Sequence, residues 1–236
     1  MLRYSPMKGI PIIGLMVALS FGLHAQSVQS PNLPRYDQKQ IHFGFILGSQ
    51  NMGFHYRPDT QWPTGVFGVE LVPQWGYTVG IVSDLRLNNF MNLRFVPTYS
   101  AGERQLIFDA IDPTDNQRKS IVRRMESSLI IFPLELKVKT ERIGNHRWYV
   151  LGAISGQLDL ASKAKVIDDR FFKLQASGYG FDVAVGMDFY FEYFKLSPQF
   201  RITIGQSNLH VDDGTAFAQA IPLLQTRSVG WVFAFE

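Results

Sequence analysis

The stretch Gly178–Phe191, GYGFDVAVGMDFYF, carries the reading of the fold. Every second residue is large and apolar: Tyr179, Phe181, Val183, Val185, Met187, Phe189 and Phe191. Between them stand Gly180, Asp182, Ala184, Gly186, Asp188 and Tyr190. Strand side chains alternate with a period of two, so this segment can put one face against hydrocarbon and keep its carboxylates on the other. The same alternation recurs outward along the chain, and strands are expected at Ile41–Asn51, Trp75–Leu87, Met91–Phe108, Ile121–Lys139, His146–Leu160, Ser177–Phe194, Lys195–Asn208 and Thr226–Phe235. The connections at 88–90, 140–145 and around Phe194 are tight, whereas those at 52–74, 109–120, 161–176 and 209–225 are longer. Short turns at one end alternating with longer loops at the other, with an even strand number, describe an all-β, eight-stranded antiparallel transmembrane β-barrel of the outer-membrane type.

Composition agrees. Hydrophobic residues make up 46% of the 236, with 19 Phe and 20 Gly, yet past the N-terminal segment no run stays apolar for the roughly 20 residues that a spanning helix needs. Cysteine is absent, which removes disulfides, thiolate metal sites, a cysteine nucleophile and a lipidated cysteine anchor. The N-terminus has the parts of an export signal: basic Arg3 and Lys8, an apolar run from Ile10 to Leu23, and Ala25 before Gln26. Residues 1–25 are therefore expected to be a cleaved signal peptide, 26–40 a short extended periplasmic leader with Pro31 and Pro34, and 41–236 the barrel. Cleavage would remove Arg3, Lys8 and no acid, lowering the formal charge from +3 to +1. Such a balance gives no electrostatic reason to expect a nucleic-acid partner.

A lysine or arginine on the lipid face costs about 2 to 4 kcal/mol at the midplane. The expected outward sets contain no acid or base: Ile41, Phe43, Phe45, Leu47; Val79, Ile81, Ser83, Leu85; Leu93, Phe95, Pro97, Tyr99; Ile130, Phe132, Leu134, Leu136, Val138; Trp148, Val150, Ile154; Phe200, Ile202, Ile204; Val229, Trp231, Phe233, Phe235. Charges take the opposite parity, at Asp84, Arg86, Arg94, Arg104, Glu135, Lys137, Asp159, Asp182, Asp188 and Arg201. Trp75, Tyr77, Trp148, Tyr190, Tyr193 and Trp231 lie near strand ends, where aromatic girdles belong, although Tyr190 has inward parity. A barrel of about eight strands has an interior only wide enough to be filled by side chains. The inward charges then read as a paired plug rather than a conduction path.

No catalytic, cofactor-binding or metal-binding residue emerges. His210-Val211-Asp212-Asp213 places a histidine near carboxylates in the last loop, as a rim hydrolase would need, but Asp212-Asp213-Gly214 reads equally as a turn. His42 and His146 lie near strand ends and His55 in a loop, none with an evident catalytic partner. Asp109, Asp112, Asp115 and Asn116 offer oxygen ligands without the glycine and terminal glutamate of an EF-hand loop. Arg118, Lys119, Arg123 and Arg124 form the densest basic cluster and could touch anionic lipopolysaccharide at the outer rim. Gly44-Phe45-Ile46-Leu47-Gly48 belongs to a strand, so its glycines narrow the lumen rather than cradle phosphate. Pro97, Gly152 and Gly156 interrupt the lipid-facing rows with small or rigid residues, where another protein wall could approach.

Longer strings add a resemblance. YDQKQIHFGFILGSQNMGF (36–54), GIVSDLRLNNFMNLRFVPTYSAGER (80–104), PLELKVKTERIGNHRWYVLGAISGQLDLASK (133–163) and GYGFDVAVGMDFYFEYFKLSPQFRITIGQSNL (178–209) resemble the PorT family of outer-membrane barrels from Bacteroidetes, across nearly all of the chain after the signal. The signal ending His24-Ala25-Gln26 also suits that group. The resemblance implies a non-enzymatic accessory of type IX secretion, partnered by outer-membrane lipid and a larger secretion translocon, with no cofactor. A structural barrel or adhesin, or a rim-active hydrolase, are the alternatives.

Overall fold

A computed structural model describes residues 31–57, 63–111, 117–161, 174–211 and 221–236. After a single 3₁₀ turn at Tyr36–Gln38, nine strand segments follow: β1 (Ile41–Arg57), β2 (Val66–Arg86), β3 (Met91–Phe95), β4 (Thr98–Ile111), β5 (Arg118–Lys139), β6 (His146–Asp159), β7 (Ser177–Tyr190), β8 (Lys195–Gly205) and β9 (Leu223–Phe235). All pairings are antiparallel, and β1 bonds both β2 and β9, so the sheet closes on itself.

The segments β3 and β4 are two halves of one stave. Phe95 pairs with Ser83 and Leu134, and Thr98 pairs with Gly80 and Ile131, so the register on both neighbours runs unbroken across the gap. Pro97 causes the interruption, because it has no N–H to donate to the ladder. Its carbonyl still accepts from Ile81 N at 3.1 Å, and Val96 N reaches Pro133 O at 3.3 Å. The cylinder therefore has eight staves, with the connections 87–90, 140–145 and 191–194 at one end (the turn end) and 58–65, 112–117, 160–176 and 206–222 at the other (the loop end).

Closure needs two backbones to come unusually near. A Cβ on Gly44 would sit 2.1 Å from Phe235 O, and one on Gly230 would sit 2.2 Å from Ser49 O. Only glycine fits where β1 and β9 meet. The glycines of the Gly44–Gly48 string thus admit a neighbouring strand, consistent with a narrow bore.

Along the wall, the expected parity holds through the turn-end and middle portions. Phe43, Ile81, Phe95, Phe132, Val150, Phe181, Ile202 and Phe233 are exposed, while their neighbours His42, Val82, Arg94, Ile131 or Pro133, Leu151, Asp182, Arg201 and Val232 turn inward, most of them buried. Several staves are longer than expected. β1 runs on to Arg57, β2 begins at Val66 and β5 at Arg118, so much of two stretches expected to be loops is strand.

In these extensions the amphipathicity inverts. Below, the outward row of β1 is Ile41, Phe43, Phe45 and Leu47; above, the apolar residues Met52 and Phe54 are the inward ones, and Asn51, His55 and Arg57 lie on the outward parity. On β5, Ile130 to Val138 are apolar on the outward parity, but beyond them Arg118, Arg124 and Glu126 are exposed and Met125 is buried. Hydrocarbon rewards an apolar exterior and water an apolar interior, so the inversion marks where the wall leaves the membrane. The projecting part carries its own core: Phe54, Val66, Leu106, Phe108, Ala110, Met125, Leu174, Leu209, Ile221 and Leu224.

Candidate functional site

The feature most able to decide function is the lumen, which is filled at three successive levels. At the turn end and middle lies a network of buried charges. Arg94 on β3 reaches Asp84 at 3.5 Å, Glu135 at 3.6 Å and Glu236 at 3.2 Å. Arg201 binds Glu135 at 2.5 Å, Lys195 binds Glu236 at 2.7 Å, and Lys137 binds Asp188 at 2.7 Å. Asp188 also accepts from Ser197 Oγ at 2.6 Å, and Lys137 Nζ lies 3.8 Å from the centre of the Tyr149 ring. Each of these charges faces an opposite one, as burial demands. A network of this kind plugs a bore more readily than it conducts.

The second level is the chain before β1. Rather than lying extended, Asn32–Gln40 folds across the turn-end mouth. Asp37 pairs with Arg147 and, at 3.7 Å, with Arg142, and accepts from Tyr190 Oη at 2.9 Å. Tyr36 stacks on His42 with ring centres 4.3 Å apart, donates to Glu236 at 3.2 Å, and lies beneath Lys195 Nζ at 4.8 Å. Burial pushes the Tyr36 phenol above its ordinary range, and the adjacent Lys195 charge only partly opposes this, so the phenol remains the donor. Asn32 accepts from Arg142 and donates through Nδ2 to Tyr190 O at 3.0 Å. The 3₁₀ turn satisfies its own backbone through Lys39 N to Tyr36 O at 3.2 Å and ties into β1 through His42 Nε2 to Tyr36 O at 2.7 Å. The third level is the apolar core of the projecting loop end.

Sequence parity located most of the inward charges. Asp84, Arg94, Arg104, Glu135, Lys137, Asp182, Asp188 and Arg201 are all buried inward, while Arg86 and Asp159 are only partly covered. Lys139, Arg147, Lys195 and Glu236 also face inward and were missed. The signal for Lys139 and Arg147 was present, since each alternates with an outward apolar residue, Val138 or Trp148. The capping role of Tyr36 and Asp37 leaves no periodic trace.

The histidines do not converge. His42 is committed to the Tyr36 carbonyl and ring, His146 lies exposed at the start of β6, and His55 sits on β1 rather than in a loop. His210 bridges to Leu174, and its backbone N–H donates to Asn208 Oδ1 at 3.1 Å; Asp212 and Asp213 fall outside the described residues. Among the described residues no group of three or more His, Asp or Glu is arranged to hold a metal ion. Asp109 is on β4, engaged by Arg118 at 2.5 Å, and Asp112, Asp115 and Asn116 lie outside the described residues. Arg118 additionally covers the Phe67 ring at 4.3 Å, and Arg124 pairs with Glu103 at 3.5 Å, so the basic cluster is partly neutralised by its own wall. Lys119 and Arg123 have the opposite parity to Arg118 and Arg124 on β5.

On the outer wall, Gly152 and Gly156 are exposed, and a Cβ at either would meet nothing within 4 Å. An open groove runs past Gly152 between Leu134, Leu136, Ile154 and Phe181. Pro97 is half-buried on the same belt but serves the stave break described above. Trp75, Tyr77, Trp148, Tyr193 and Trp231 are exposed as girdle residues should be, and Tyr190 is buried, as its parity indicated.

No curated protein matches the chain closely enough to count as a relative. The solved structures that match the chain include the following two. Neisserial surface protein A (NspA) is 10% identical over 84% of this chain and 97% of that one, with a TM-score of 0.46. The outer membrane protein OprG from Pseudomonas aeruginosa is 11% identical over 84% of this chain and 95% of that one, with a TM-score of 0.43. The family profile described as "Outer membrane protein beta-barrel domain" matches residues 17–211, well over half of the sequence, and the chain accordingly belongs to that outer-membrane barrel family.

Proposed function

We propose that this protein is a non-conducting, non-enzymatic barrel that works through its surfaces, as an accessory or assembly component of type IX secretion docked on a larger translocon. The observation that carries the non-conducting part is the three-level filling of the bore, from the Asp37 cap through the Arg94 network to the apolar loop-end core. Ions crossing it would have to displace paired charges and then dry side chains. The secretion role is supported by the sequence resemblance to PorT-like barrels. The groove at Gly152 and Gly156 supplies a face on which another membrane wall could approach closely.

Two measurements test the two parts. Purified protein in planar bilayers should show no stable single-channel conductance; a steady open current would remove the non-conducting reading. Deleting the gene should trap proteins bearing a C-terminal secretion signal in the periplasm. Their continued export would leave a structural barrel or adhesin as the better account.

A further inference from the structure

Between the charge network and the apolar loop-end core lies a cation that the plug does not explain. Arg104, on β4, is 1% exposed. No carboxylate of the described residues comes within ion-pairing distance of it. Its guanidinium has one long hydrogen bond, from Nη1 to Thr226 Oγ1 at 3.4 Å, and lies 4.5 Å from the centre of the Phe54 ring. Its Nε is buried without a partner. The acid whose field reaches it, Asp159, spends Oδ1 on the backbone N–H groups of Ala161 at 3.0 Å and Ser128 at 3.4 Å.

Two hydroxyls neighbour Arg104, one across the lumen and one on the adjacent strand. Thr226 Oγ1 accepts from both Arg104 Nη1 and Gln157 Nε2, each at 3.4 Å, which turns its own proton away from them and leaves it to donate elsewhere. Ser127 Oγ is buried with no partner. Ser127 pairs with Gly102 and Met125 with Arg104 across the β4–β5 ladder, so Ser127 is Arg104's diagonal neighbour on the inward face. Such neighbours lie roughly 7 to 8 Å apart at Cα, within reach of long side chains. One guanidinium N–H and two neighbouring hydroxyls therefore keep donor capacity that no hydrogen bond of the described residues uses.

We propose that this level binds a small monovalent anion of chloride size, held by Arg104, Ser127 and Thr226. The anion neutralises a charge that is otherwise costly to bury alone, and it supplies the acceptor that three donors lack. Phe54 bounds the site on its apolar side. A monoatomic anion suits the chemistry because it accepts from donors in any direction and needs no partner for a second polar end.

The test uses the full chain refolded in detergent. Thermal unfolding, read by the shift in gel mobility between folded and unfolded barrel, is compared in sodium chloride and in sodium gluconate at equal ionic strength. Ligands that bind only the folded state raise its midpoint in proportion to the logarithm of their concentration. The midpoint should rise with chloride by several degrees over gluconate, and Arg104→Met should abolish that difference. Ser127→Ala, a milder change expected to fold, should weaken the chloride dependence severalfold. Crystals soaked in bromide should show an anomalous peak within hydrogen-bonding distance of the Arg104 guanidinium. Equal midpoints in the two salts, an unchanged chloride response in Ser127→Ala, or no bromide peak beside Arg104 would each overturn the assignment.

Discussion

The inversion of amphipathicity makes a sharp prediction about where a charge is tolerated. Val183 on β7 is 56% exposed, pairs with Gly152 and Ile202, and has Phe181 and Val185 on the same outward row. Val122 on β5 is comparably exposed at 47% and has the same outward parity, but it lies beyond Ile130, where the continuous apolar run of that row ends, with Ser128, Glu126 and Arg124 between. Eight residues separate it from Ile130, about 26 Å along the strand at roughly 3.3 Å per residue, or about 20 Å in height for a stave tilted by about 40°. Arginine at the bilayer midplane costs about 2 to 4 kcal/mol, falling to about 0 to 1 kcal/mol near the interface. Val183→Arg should therefore lower the folding equilibrium constant in lipid vesicles by roughly 30- to 900-fold, since about 1.4 kcal/mol is tenfold. Val122→Arg should lower it by less than about fivefold by the same arithmetic. Reversible urea unfolding in phosphatidylcholine vesicles, followed by tryptophan fluorescence, measures both. Equal costs at the two positions would refute the argument that β5 crosses from lipid into water between them.

Two further outcomes follow from the plug. Arg94→Met removes the cation shared by Asp84, Glu135 and Glu236 and should cost about 3 to 5 kcal/mol, the usual penalty for stranding buried charge. Adding Asp84→Asn should recover part of that loss in the same unfolding assay, and no recovery would mean the network is not electrostatically coupled. Asp37→Ala frees Arg147 and Arg142 at the mouth; because Asp37 is partly exposed, the cost should be only about 1 kcal/mol. It should show as roughly fivefold faster tryptic cleavage after Lys39, whereas unchanged protection would show that other contacts hold the cap.

The fold was legible because a period of two is a local property. Each residue of GYGFDVAVGMDFYF declares its side by its own polarity, and the lipid rows from Ile41 to Phe235 could be separated from the inward charges without knowing which strands were neighbours. Tight and long connections then set the strand count. Even Pro97, which splits the third stave into β3 and β4, left its register unchanged. The expected loop at 52–74 failed for a local reason too: Met52 and Phe54 reverse the parity of Phe43 to Leu47, which breaks a single alternating pattern although the backbone continues as strand.

Tertiary structure decided everything that depends on closure. Only the wrapped sheet brings Arg94 to Glu236 across 142 positions, folds Asp37 over Arg147, and sets Arg104 beside Thr226 without a carboxylate. Inward parity says that a charge enters the lumen; the bore and the axial stagger of the staves say which charge it meets there. The sequence by itself determined which side chains meet hydrocarbon, since that depends on each residue's neighbours two places away. Which inward groups pair, and that Arg104 meets no carboxylate of the described residues, was set by closing the ring, because those partners are distant in the chain and share only their height along the axis.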